Sequence, residues 1–326
     1  MRSKNMLHEL KATPRSVHWG YFDAGLEPAL KVHSGDVVKV ETLAGKPELF
    51  NQNELDLLYN EVPTLKQVYE NVREEGPHIL TGPIHVREAK QGDVLAVRLR
   101  DITPVGSFGY NLILPSRGAL PEDFPHPRTK VIKYDSEREN ALFSSSIKVP
   151  LRPFFGVQGV APSASVKRIS SRFPGVHGGN LDNRELIRGS TIYLPVHTEG
   201  AMYSVGDGHT VQGDGEASLT ALEGCMKGVL EFEIRSDLSL TWPMAETDSH
   251  IISMGFHSDL DEAAKIALRN MIGYLCDKES LSAEDAYSLS SICVNLHVTQ
   301  LVNDVKGIHA LLPKSIFSRR RRNSQL

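Results

Sequence analysis

The 326-residue sequence predicts a mainly β protein with an α+β C-terminal part. Three observations predict it. Val-rich segments alternate apolar and polar residues behind Gly-Asp turns. Short β-branched and aromatic runs recur as far as residue 235, and beyond about residue 240 the apolar period changes from two residues to that of a helix.

In chain order, residues 36–42 (Asp-Val-Val-Lys-Val-Glu-Thr) and 93–99 (Asp-Val-Leu-Ala-Val-Arg-Leu) each read as a strand, opened by Gly35 and Gly92 in the shared pattern Gly-Asp-Val-x-x-Val. Between them, residues 53–75 hold one helix. Residues 104–130 are dense in Pro and Gly and read as a long connecting loop, the kind of segment that often lines a site. Runs at 191–196, 201–205 and 228–234 add strands, with Pro195 marking an edge or an end.

After residue 258 the acidic start Asp259-Leu260-Asp261-Glu262 precedes Ala263, Ile266, Ala267, Met271 and Leu275 at helical spacing. A second helix is expected over 282–292, and 296–302 reads as a strand. The chain therefore divides into a β-rich part carrying the chemistry, 1–238, and an α+β part, 239–326, with a basic tail.

Composition excludes several classes. Hydrophobic residues at 40% and charged residues at 23% match a folded globular protein rather than a disordered one. Formal charge is −4, so the molecule offers no broad electrostatic footprint for nucleic acid; the run Arg319–Arg322 would supply only unspecific, salt-sensitive affinity. No apolar stretch is long enough to span a membrane and no secretory leader is legible. Cys225, Cys276 and Cys293 are widely spaced and unpaired by motif, which fits buried reduced thiols and a cytoplasmic location. The ending Ser324-Gln325-Leu326 is similar to a relaxed peroxisomal address, against the simpler reading of a frayed, solvated tail.

Metal-binding and proton-moving groups concentrate in residues 174–216: His177, Asn180, Asp182, His197, Asp207, His209, Asp214 and Glu216, separated by glycines that let loop side chains converge. A cation that activates water needs imidazole nitrogen or carboxylate oxygen from at least three ligands, with a position left open. Asp182, Asp207 and His209 supply that set, and an extended 207–209 would turn Asp207 and His209 to one side. Glu216 either completes the shell or stands off it as the proton carrier. His209 favours a transition metal, with zinc foremost, whereas the oxygen-rich remainder would also suit calcium. The competing reading is ordinary turn chemistry, in which Asp and Asn satisfy local backbone N–H groups; His177, His197 and Asp214 are the weaker candidates. Cys225 is read as a buried strand residue, and no Gly-x-Ser-x-Gly elbow is present.

The words Gly178-Gly179-Asn180-Leu181-Asp182, the strand 189–196, and Gly206-Asp207-Gly208-His209 through Gln212-Gly213-Asp214-Gly215-Glu216 closely resemble the acetamidase/formamidase family. So do His18-Trp19-Gly20, Gly82-Pro83-Ile84, residues 156–162 and the run from Ala286 to Val302, in the same order. The resemblance implies a jelly-roll-like β-sandwich and barrel core, hydrolysis of the C–N bond of formamide or a short aliphatic amide, a metal site in the central motif, and a homo-oligomer of two or more subunits. Carried over residue by residue, it implies Asn180, Asp182, Asp207, His209 and Glu216 as site members, joined by His18. Asn295 and Asn303 stand where the family pattern leads one to expect Asp. The alternative function is a non-catalytic β-module binding a small ligand, with a structural calcium.

Overall fold

The structure is a computed structural model that describes residues 5–317 and Leu326. The Arg319–Arg322 run and Ser324-Gln325 lie outside the described residues, whereas Leu326 is buried in the C-terminal core.

Sixteen strands share one hydrogen-bonded network. Its spine is two long antiparallel strands, Val94–Ile113 and Leu222–Arg235, paired along most of their length. Register shifts at Glu223/Cys225 and Val229/Leu230 interrupt that pairing and bend the ribbon. Strands remote along the network then bring apolar faces together: Val38, Ile84, Val97, Phe155, Leu194 and Phe232 belong to one buried cluster. The mainly β expectation holds, but no closed barrel forms among the described residues. The network branches instead: Ile79–Val86, for example, pairs with three other strands.

Each expected strand is present. The 36–42 segment is the strand Val37–Thr42, and 191–196 is Thr191–Pro195, with Pro195 at its end. The expected 104–130 loop is corrected: its first ten residues continue the strand to Ile113. The expected single helix 53–75 is two, α1 (Gln52–Glu61) and α2 (Pro63–Asn71), because Pro63 has no N–H to continue α1 and starts α2 at its first turn. Asn51 closes a capping box with Glu54 at the start of α1.

The C-terminal part extends the same sheet: Met244–Glu246 pairs with Thr191–Pro195, then His250–His257, Lys306–Pro313 and Asn295–Gln300 follow in order. Helix α3 (Leu260–Glu279) buries Ala263, Ala267, Met271 and Leu275 against it, and α4 (Ala283–Cys293) packs beside α3. Cys225 is buried; Cys276 and Cys293 are only partly so. Among the described residues, no helix is long and apolar enough to cross a membrane.

Candidate active site

Four neighbouring strands deliver the site. Gly178–Asn180 pairs with Phe154–Gly159, which pairs with Tyr203–Val211, which in turn pairs with Leu222–Arg235. Leu181 and Asp182 donate their backbone N–H groups to Gly156 O at 2.9 and 3.1 Å, which fixes Asp182 at the end of the first strand. His209 and Glu223 are direct cross-strand partners, so their side chains stand on one face. Asp182, Asp207 and Glu216 all adopt left-handed backbone, with φ of 48°, 55° and 48°. That conformation is costly for residues with a Cβ, and three instances in one site mark side chains held in place by their surroundings.

His209 is the centre of the arrangement. Its Nε2 lies 3.1 Å from Asp207 Oδ2 and 3.3 Å from Glu223 Oε1. Gln212 Nε2 donates to the Asp182 carbonyl at 2.8 Å, which turns Gln212 Oε1 toward His209 Nδ1, 2.9 Å away. An oxygen there accepts only from a protonated Nδ1, so Nε2 is the nitrogen left to face the carboxylates. Asn303 donates to Asp182 Oδ2 at 3.0 Å, and His78 Nε2 lies 3.9 Å from Asp207 Oδ2.

Burial sets the titration of the group and charge corrects it. Burial drives Asp182 up to about 7, against the pull of His209. Burial would raise Asp207 too, but His78 and His209 beside it hold its carboxyl below the usual range. Glu216 and Glu223 are pushed well up by burial, Glu216 further by the neighbouring Asp182 and Glu223 by Asp207, both against His209. Burial would lower His209, yet Glu223 and Asp207 raise it well above the ordinary imidazole value. Four carboxyl groups thus share a desolvated space with one well-placed imidazole, an excess of negative charge that a cation would relieve.

A cavity of about 520 Å³ opens beside these groups. Asn180, Asp182, Asp207, His209 and Glu216 line it, with Leu43, Leu49, Tyr110, Leu112 and Leu114 forming apolar walls. The structure therefore brings five of the six expected site residues to one place. His18 is not in the lining: it is buried on the strand Val17–Trp19, its Nε2 2.9 Å from Ser204 Oγ, and burial holds it down to about 4. His177, His197, Asp214 and Cys225 also lie outside the lining.

Four contributors were not anticipated. Glu223 lies in a strand that begins with apolar residues, and His78 precedes a strand with no motif around it. Gln212 and Asn303 act on the site through His209 and Asp182. His209 stands opposite a residue fourteen positions away, and only strand pairing reveals that.

The donor set fits a divalent metal. Among the described residues, Asp182, His209 and Glu216 offer ligand atoms within 4.8 Å of one another, and so do Asp207, His209 and Glu223. The expected trio Asp182, Asp207 and His209 is thus split between two groupings that share the imidazole. Asp182 Oδ1 and Asn180 Oδ1 are buried without a hydrogen-bond partner, as atoms awaiting a cation or a substrate would be.

Comparison with known proteins identifies the family. The profile of the acetamidase/formamidase family matches residues 9–172 and 167–319. The chain is 27% identical over 319 residues to the formamidase of Methylophilus methylotrophus, covering 77% of it, and 29% identical over 197 residues to the acetamidase of Mycolicibacterium smegmatis. It spans about half the length of the latter, 48%, and 55% of a Schizosaccharomyces pombe relative that is 29% identical over 234 residues. The crystal structure of an acetamidase from Bacillus halodurans superposes with a TM-score of 0.81 at 30% identity, covering 97% of this chain and 100% of that one. That of a Yersinia enterocolitica acetamidase gives 0.84 at 27% identity, covering 98% and 95%. The chain belongs to the acetamidase/formamidase family.

Proposed function

We propose that this protein hydrolyses the C–N bond of a small linear amide, formamide or acetamide, to the carboxylate and ammonia, with a divalent metal bound at His209. The observation that carries the reading is the largely desolvated group of four carboxyls around the His209 ring, opening on a cavity, in a chain of this family. Because His209 has one free nitrogen, the two ligand groupings are alternatives. Asp207, His209 and Glu223 are favoured as ligands, since the two carboxylate oxygens already stand 3.1 and 3.3 Å from Nε2. Zinc suits an imidazole–carboxylate set better than calcium does.

A bound ion would polarise the amide carbonyl and lower the pKa of its water, the two obstacles to attack. The chain's own groups do the rest. Glu216 lines the cavity, and burial with Asp182 beside it makes its carboxylate a stronger base; in its ionised form it takes the proton from the attacking water and passes it to the departing nitrogen. Asn180 directs Nδ2 to the Arg172 carbonyl at 3.4 Å and leaves Oδ1 free. It therefore offers an acceptor for the substrate amide N–H.

Ammonia release from formamide and acetamide, with and without chelator, tests the proposal. Asp207→Ala should abolish turnover, by about 10³-fold or more, together with bound metal. Full activity and full metal content in that variant would refute the site. Glu223→Gln should lose metal, while Glu216→Gln should keep metal and lose turnover; the reverse would exchange their roles. The protein is further proposed to act as a cytoplasmic homo-oligomer, a dimer or larger, which light scattering of the purified chain would check.

A further inference from the structure

A second group of possible ligands lies outside the amide cavity: Asp214, His297 and His309 hold ligand atoms within 4.8 Å of one another. They come from two separate places. Asp214 sits in the turn after the strand Tyr203–Val211, and His297 and His309 face each other as a cross-strand pair of the hairpin Asn295–Gln300 and Lys306–Pro313. The two imidazoles stack, with centroids 5.2 Å apart and planes at 21°.

Each side chain is oriented. His297 Nδ1 lies 2.8 Å from Asp214 Oδ2. His309 is fully buried, and its Nδ1 is taken by Thr299 Oγ1 at 2.8 Å. Its Nε2, also buried, has no hydrogen-bond partner. A buried ring nitrogen without a partner is costly unless something occupies it. A protonated Nδ1 donating to the Thr299 hydroxyl would leave the Nε2 lone pair available, which is how outer hydrogen bonds prepare a histidine to bind a metal. Asp214 and His297 are each 37% exposed, so an ion there has a route in and room for water to complete its shell.

We propose that Asp214, His297 and His309 form a second divalent-metal site, of the borderline class represented by zinc and cobalt, separate from the amide site. Two imidazoles and one carboxylate are the ligand types such ions select over calcium or magnesium. Its consequence is mechanical. Gly215 N donates to Thr299 O at 3.2 Å and Leu301 N to Gly215 O at 3.1 Å, so turn and hairpin already touch beside the trio. A metal bridge would tie the C-terminal hairpin to the segment that carries Gln212 and Glu216.

Zinc content of the full chain, after equilibration in micromolar zinc and gel filtration, provides the test. The wild type should hold one equivalent more than His297→Ala and one more than Asp214→Asn, both partly exposed positions whose folding circular dichroism would verify. Added zinc should raise the melting temperature of the wild type more than that of either variant. In the cobalt-loaded protein, His297→Ala should remove a visible absorption band that Glu223→Gln leaves in place. Equal zinc content and equal zinc-induced shifts in the wild type and both variants would overturn the proposal, without bearing on amide hydrolysis.

Discussion

Gly156 carries no side chain where Asp207 and His209 need the space: a Cβ there would lie 2.6 Å from Asp207 Oδ2 and 2.7 Å from His209 Nε2. Gly156→Ala should therefore displace the central pair and lower kcat/KM by about 100-fold, the usual cost of misplacing catalytic groups by about an ångström. Near-normal kcat/KM in a folded Gly156→Ala protein would show that the pair tolerates movement. Gln212 acts at the same scale, fixing the His209 tautomer from behind; Gln212→Ala is expected to cost about 10- to 100-fold in metal affinity or activity, measured by chelator competition and steady-state rates. Asn180, Asp182, Asp207, His209 and Glu216 were legible because glycine-spaced polar residues are rare outside turns and sites. Glu223 and His78 were not, since each is a lone polar residue whose neighbour lies on another strand.

Among the elements, α3 shows how closely local rules and packing agree. Asp259 caps it, accepting from Glu262 N at 3.0 Å, and four of the five expected positions of its apolar stripe are buried, Ile266 only partly so. Asp259→Ala should cost about 1 kcal/mol in denaturant unfolding and leave turnover unchanged, because α3 does not line the cavity. Gly255, on the strand beneath, is a sharper dependence: a Cβ would meet Ala263 O at 2.2 Å and Ala267 N at 2.4 Å. The segment 104–113 shows the opposite case. Pro104, Gly106 and Gly109 read as loop, yet here they let a 20-residue strand bend, Gly109 admitting Glu223 O to within 2.6 Å of where a Cβ would stand. Composition cannot distinguish a glycine that ends a strand from one that another chain segment approaches.

At the scale of the whole molecule, folding buries histidines that the unfolded chain would leave to titrate normally. Burial, reinforced by His197, holds His177 down to about 3, and burial holds His18 down to about 4. Both are neutral when folded and bind protons more readily when unfolded. Their contribution is complete above about pH 6.5 and is lost as pH falls toward their folded values. Asp182, raised to about 7, works in the opposite direction, its contribution present at low pH and lost as pH rises through about 7. Removing one buried histidine isolates one side of this balance: the melting temperature of His177→Gln relative to wild type should rise steadily from pH 7.5 to pH 5. A difference independent of pH would mean that folding leaves the titration of His177 unchanged. The sequence by itself determined the mainly β class, both C-terminal helices, the family and five residues that line one cavity, because periodicity, caps and glycine-spaced motifs are local and survive in one dimension. Only the tertiary structure decided that the sheet branches rather than closes, that His18 stands apart, and that Glu223 and His78 join His209. Those outcomes depend on which strands lie side by side, and hydrogen-bonded pairing across long stretches of chain leaves no local trace.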